Sequence, residues 1–154
     1  MKEFYLTAEG EERLRKELEK LKGPVREEIA KRLHAAVELG DLSENADYIT
    51  TKEEQGFIEG RIQELEMILK NKIIIDEMEI STDEVGIGNR VTIQEENSEP
   101  ETYHLVGSQE ADPRKMVISH ESPIGKALIG HHEGDKITAE IPAGTIIFKI
   151  LKIE

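Results

Sequence analysis

Apolar residues between Ala8 and Leu39 recur at steps of three and four: Leu14, Leu18, Leu21, Val25, Ile29, Leu33 and Ala36. That spacing lines one face of an α-helix, and Glu, Lys and Arg occupy the other face. Thr7 is placed to cap its start, with Glu9, Glu11 and Glu12 near the positive end of the helix dipole. A second helical stretch runs from about Glu44 to Asn71, with Ile58, Ile62, Leu65 and Leu69 as its stripe. Gly56 and Gly60 in that stretch would permit close approach of a partner helix. Only Gly40-Asp41-Leu42-Ser43 separates the two stretches, which forces them antiparallel. Neither narrow stripe buries itself alone, so the pattern predicts an antiparallel coiled-coil hairpin. At a rise of about 1.5 Å per residue its arms reach roughly 40–50 Å. Gly23-Pro24 removes a backbone donor from the first arm, where a kink or brief break is expected.

After Ile73-Ile74-Ile75-Asp76 the period changes. Short runs of β type occupy Arg90–Gln94, Thr102–Val106, Met116–Ser119, Lys136–Ile141 and Thr145–Ile153, with turn signals between them. In the last run Ile146, Phe148 and Ile150 alternate with Ile147, Lys149 and Leu151, as in a half-buried strand. One short helix is expected from Ser122 to Gly130, with Ser122 capping, Pro123 at its first position and Gly130 closing it. The reading is a helical hairpin over residues 1–76 and a small α+β domain over 77–154, joined by a linker from Met78 to Gly88.

Composition refines this. The chain of 154 residues is 37% hydrophobic, 4% aromatic and 34% charged, which suits a shape with much surface for its size. Its formal charge is −13; through Lys72 there are 13 basic and 17 acidic residues, and beyond it 7 and 16. Free duplex DNA is therefore not an expected partner, since binding there needs clustered cations. The absence of cysteine excludes disulfides, thiolate metal sites and cysteine nucleophiles. No apolar run reaches membrane-spanning length and no signal-peptide core opens the chain, so a cytoplasmic protein without membrane association is expected. Among the histidines only His131-His132 are adjacent, and neighbours on a turn are poorly placed to chelate one zinc ion.

Candidate chemistry concentrates at the turn, where Asp41, Glu44 and Asp47 fall within seven residues. Two readings compete. Asp41 followed by Glu44 resembles a capping box for the second helix, and such caps are common. Alternatively the two carboxylates form a hard-oxygen pair for one Mg²⁺, too few to bind it alone but sufficient where metal and phosphate are already gathered.

The longer context carries a resemblance. Gly40-Asp41-Leu42-Ser43-Glu44-Asn45-Ala46-Asp47-Tyr48, followed by Lys52-Glu53-Glu54-Gln55-Gly56-Phe57-Ile58-Glu59-Gly60-Arg61-Ile62, closely resembles the signature of the Gre transcript-cleavage factors of bacteria. Ile118-Ser119-His120-Glu121-Ser122-Pro123-Ile124-Gly125-Lys126-Ala127-Leu128-Ile129-Gly130 resembles the family's second motif, so the likeness spans nearly the whole chain. It implies an FKBP-like fold for the second half. It also implies a hairpin that enters the secondary channel of bacterial RNA polymerase when the nascent RNA 3′ end is backtracked. Asp41 and Glu44 then hold a Mg²⁺ shared with the polymerase active site and orient the attacking water. Lys52 matches a basic position associated with the RNA 3′ segment, though an exposed helix lysine paired with neighbouring glutamates is an equal reading. Tyr48 and Asn45 lie inside the motif without an assigned role. Glu121, Ser122 and Pro123 match the segment that docks on a coiled coil of the largest polymerase subunit. His120-Glu121 falls where family members vary, which leaves the polar details of that contact open.

The resemblance further implies a monomeric factor that stimulates the polymerase's own transcript hydrolysis and is not an enzyme by itself. With an acidic hairpin and no Lys or Arg in residues 42–51, the type that releases fragments of two or three nucleotides is preferred. Three alternatives remain: a non-cleaving inhibitor that enters the same channel, a prolyl isomerase and a coiled-coil adapter. The intact Asp41/Glu44 pair argues against the first. The second would need an aromatic pocket, for which the C-terminal half offers only Tyr103 and Phe148.

Overall fold

The computed structural model describes Lys2–Glu154 and divides into two compact units. One comprises Glu11–Asn71; the other comprises Lys72–Glu154 and also takes in the N-terminal residues through Gly10. Strand β1 (Phe4–Leu6) pairs in parallel with β2 (Lys72–Ile74), so the start of the chain clusters with the second unit rather than with the hairpin. The division expected at 76/77 follows the helical period and has no means of registering this return.

In the helical unit, α1 (Ala8–Lys20) passes through a π turn, Leu21–Val25, into α2 (Arg26–Val37), and α3 (Ala46–Lys70) returns. The π turn is the answer to Pro24. The Arg26 amide reaches the carbonyl of Leu21 as well as that of Gly23, and both flanking residues keep right-handed helical dihedrals. A locally wider turn therefore absorbs the missing proline donor where a break was expected. Ile29 and Ala36 of the outgoing arm are buried, as are Thr51, Ile62, Leu65, Ile68 and Leu69 along α3. Ion pairs run along the seam from Lys22–Glu66 (3.1 Å) through Arg26–Glu59 (2.8 Å) to Arg32–Glu54 (2.7 Å). The α3 number falls as the other rises, which is the antiparallel register. Exposed pairs of this kind are screened by solvent and contribute little, so they select the register more than they stabilise it. Gly56 and Gly60 do not serve helix packing: a Cβ at either would meet nothing within 4 Å among the described residues.

In the second unit a five-stranded sheet has the order β5-β4-β3-β7-β6, from β3 (Arg90–Glu95), β4 (Glu101–Val106), β5 (Val117–Ser119), β6 (Lys136–Ile141) and β7 (Gly144–Ile153). All neighbours are antiparallel except β4 and β5. Helix α4 (Pro123–Leu128) contributes Leu128 to a core containing Val91, Ile93, Leu105, Ile137, Phe148 and Ile150. The alternation expected for β7 is present, with Phe148 and Ile150 buried and Ile147, Lys149 and Leu151 exposed. The second half of the expected linker is folded. Val85 is buried in the core, and the buried Asn89 amide accepts from Gly86 N (2.8 Å) and donates to Ser81 O (2.8 Å) and Glu154 O (3.1 Å).

The N-terminal segment is held by specific contacts within this unit. Thr7 caps α1 by accepting from Gly10 N (3.0 Å), while its own amide and hydroxyl donate to Glu110. Ala8 N donates to Asp76 (3.2 Å), so carboxylates meet the orphan amides of the first turn. At Gly107 a Cβ would lie 2.0 Å from the Tyr5 carbonyl oxygen, so this close approach of backbone to backbone requires glycine.

Candidate functional site at the hairpin turn

Helix α2 ends at Val37 and α3 begins at Ala46, leaving an exposed turn that contains both acids. Gly40 has φ +117°, a conformation other residues rarely adopt, and it allows the chain to leave α2 sharply. Asp41 then closes a small turn of its own. Its Oδ1 accepts from the Ser43 amide (3.0 Å) and the Ser43 hydroxyl (2.8 Å). These donors, the hydroxyl foremost and the amide next, favour the ionised form and hold the Asp41 carboxyl below its usual value. Oδ1 faces inward to Ser43, and Oδ2 makes no hydrogen bond among the described residues.

The capping-box reading of Asp41 and Glu44 is not what forms. The N-cap of α3 is Asn45, whose side-chain oxygen accepts from Tyr48 N (3.1 Å) and whose amide donates to Ala36 O (2.6 Å). One side chain thus satisfies an orphan donor at the start of α3 and a carbonyl at the end of α2, clipping the two arms together below the turn. Asn45 lay within the motif but carried no role on spacing. Its signal was the preference of Asn for the N-cap, and that of Ser43 was the Asp-x-Ser pattern of a side-chain turn. Glu44, directly before the cap, is exposed, and no hydrogen bond or ion pair joins it to a described residue.

The two acids therefore share the turn without being spent on the helix, Asp41 oriented and Glu44 unengaged. As a donor set they match a hard divalent cation such as Mg²⁺ in kind but not in number. Among the described residues no group of three or more His, Asp or Glu is arranged to hold a metal ion. Beside the turn a groove of about 400 Å³ runs between α2 and α3, lined by Arg32, Ala36, Leu39, Asp47, Thr50 and Thr51. Leu39, at 70% exposure, heads a group of exposed apolar side chains there that includes Val37, Leu42 and Ile49. Lys52 is exposed on α3, and its Nζ donates to Gln55 (3.1 Å) rather than to a glutamate. Tyr48 is half-buried.

The second candidate segment lies in the other unit. Ser122 caps α4 by accepting from Gly125 N (3.1 Å) and donates to Ser119 O (2.6 Å); Ser119 Oγ accepts from Glu121 N (3.0 Å). This bonding holds Glu121 and Pro123 exposed on a rigid loop, with Glu121 near Lys2 (3.9 Å) and His120 (3.8 Å). Tyr103 and Phe148 do not form a shared aromatic pocket. Phe148 is buried in the core, and the Tyr103 hydroxyl donates to Glu101 (3.0 Å).

Comparison with known proteins defines the class. Residues 4–74 match the family model described as transcription elongation factor, N-terminal, and residues 80–154 match transcription elongation factor, GreA/GreB, C-term. Similarity to individual proteins covers almost the whole chain. It is 50% identical to the transcription elongation factor GreA of Acetivibrio thermocellus over 99% of this chain and 96% of that one. It is 51% identical to GreA of Caldanaerobacter subterraneus over 99% and 98%. Among solved structures, GreA factor homolog 1 of Thermus thermophilus is 33% identical over 99% of both chains, with a TM-score of 0.45. The chain belongs to the GreA/GreB family of transcription elongation factors. No helix among the described residues is long and apolar enough to cross a membrane.

Proposed function

We propose that this protein stimulates cleavage of backtracked nascent RNA by RNA polymerase, with the hairpin turn entering the secondary channel and Asp41 and Glu44 completing the active site there. The observation that carries this reading is the turn itself: two exposed carboxylates, one held ionised by Ser43, neither used to cap α3. Asp41 and Glu44 would hold the second Mg²⁺ of the polymerase active site, which when bound lowers the pKa of a coordinated water and stabilises the leaving oxygen. The chain's own work is positional. Asn45 clips the arms directly below the turn that carries the two carboxylates, and Lys52 lies behind them to meet the RNA 3′ segment as a point charge. Glu121, Ser122 and Pro123 dock on the coiled coil of the largest subunit.

The protein is then a cofactor of the polymerase and not an enzyme by itself, because the RNA and the tightly held metal belong to its partner. The acidic hairpin favours release of fragments of two or three nucleotides. The test is a stalled, backtracked elongation complex with labelled RNA. Wild type should accelerate cleavage, while Asp41→Asn and Glu44→Gln should each lose most of the stimulation and still bind polymerase. Cleavage by wild type no faster than by polymerase alone would refute the proposal.

A further inference from the structure

The outer face of the five-stranded sheet, opposite α4, carries a feature that the cleavage role does not use. Strand register sets Lys136 of β6 directly across from Lys149 of β7, and Gln94 of β3 across from Lys149 on its other side. The side chains of this row share one face of the sheet, because Phe148 and Ile150 alternate to the core. Arg90 and Lys152 lie on the same face, in register terms, with Thr92. Four of the seven cations beyond Lys72 are thus gathered on one surface of a chain whose net charge is −13.

Lys152 is paired with Glu154 at 2.8 Å, but Lys136 and Lys149 have no ion-pair partner among the described residues. Like charges directly opposite in a sheet are destabilising, and this chain has 33 acidic residues from which a neutralising partner could have been drawn. Acids border this row without pairing with Lys136 or Lys149: Asp135 precedes Lys136 in the chain, Glu140 lies at the far end of β6, and Glu95 and Glu96 lie at the end of β3. Between them lies a groove of about 420 Å³ lined by Gln94, Lys136, Ile147 and Lys149 together with the Glu95–Asn97 turn. Ile147 and Leu151 are 50% and 40% exposed beside the lysines.

We propose that this face docks an acidic protein segment bearing apolar side chains, its carboxylates reaching Lys136 and Lys149 and its apolar groups covering Ile147 and Leu151. The assignment to a segment of the polymerase assembly rests on the functional reading above. Protein fits this face better than nucleic acid. Single strands are gripped by aromatic platforms, and Phe148 and Tyr103 both lie on the opposite side of the sheet. A surface built for docking accepts a local cost in the free protein, because the repulsion is relieved only when the partner's carboxylates arrive.

The test uses the full chain with Lys136→Thr and Lys149→Thr, singly and together. Affinity for bacterial core RNA polymerase is measured at low and high salt, alongside the thermal midpoint of the free protein. The double variant should bind about tenfold more weakly at low salt, with a shallower salt dependence. Its midpoint should stay level or rise by roughly 1–4 °C as the repulsion is removed. Unchanged binding, or weaker binding accompanied by a lowered midpoint, would overturn the inference while leaving the cleavage role intact. Failure of wild type to bind polymerase would overturn both. Loss of affinity for a single-stranded RNA, with polymerase binding retained, would also overturn it.

Discussion

Replacing Asn45 by alanine should loosen the turn that presents the two carboxylates without touching either of them. The side chain makes two bonds, accepting from Tyr48 N at 3.1 Å and donating to Ala36 O at 2.6 Å. Loss of an N-cap costs about 1 kcal/mol, and loss of a hydrogen bond to a partly buried carbonyl costs about as much again. The sum of about 2 kcal/mol corresponds to roughly a 30-fold larger population of opened tip. Hydrogen exchange of the full-length protein reads this directly. The amides of Tyr48 and Ile49, which bond to Asn45, should exchange roughly 30-fold faster, while those of Ile62 and Leu65 in the body of α3 should not change. Asn45→Ser restores the cap but is too short to reach Ala36, so it should recover about half of the lost free energy. Cleavage stimulation should fall in the same order, wild type above serine above alanine. Equal exchange in wild type and Asn45→Ala would refute the assignment of Asn45 as the clip between the arms.

Three further outcomes follow from the geometry. Asp41 has its pKa lowered in the folded state, so the turn it closes is fully supported above the ordinary carboxylate range and weakens as pH falls through the lowered value. Ser43→Ala removes the leading donor and should move the Asp41 titration upward, as read by carboxyl carbon NMR; an unmoved titration would contradict that cause. Gly107→Ala forces a Cβ towards the Tyr5 carbonyl and should lower stability by about 1–3 kcal/mol in urea unfolding. Gly56→Ala and Gly60→Ala meet open space in the middle of α3 and should each stabilise the protein by up to about 1 kcal/mol. A loss of stability at either glycine would mean that it packs after all.

Much of this molecule was written in local pattern. The 3.6-residue stripe from Leu14 to Ala36, the brief Gly40–Ser43 connection and the alternation of Ile146, Phe148 and Ile150 each involve neighbours a few positions apart. Periodicity reads such relations directly, because they follow from helix and strand geometry alone. The Ser122 cap and Pro123 at the start of α4 were legible for the same reason. The long motif around Asp41 and Glu44 told more than spacing did, since spacing alone favoured a helix cap.

Tertiary structure decided what depends on distant partners. That β1 pairs with β2 and joins the second unit, that β4 and β5 run parallel, and that Asn89 ties Ser81 to Glu154 are contacts between segments with no periodic relation. The turn itself was settled by backbone dihedrals. Whether Asp41, Glu44 or Asn45 caps α3 depends on which residue leaves the helix in extended conformation with its oxygen aimed at the free amides. Asn45, at φ −84° and ψ 101°, meets that condition. The acids were legible as residues, but their freedom to act on something outside the chain came from the asparagine that took over the structural task.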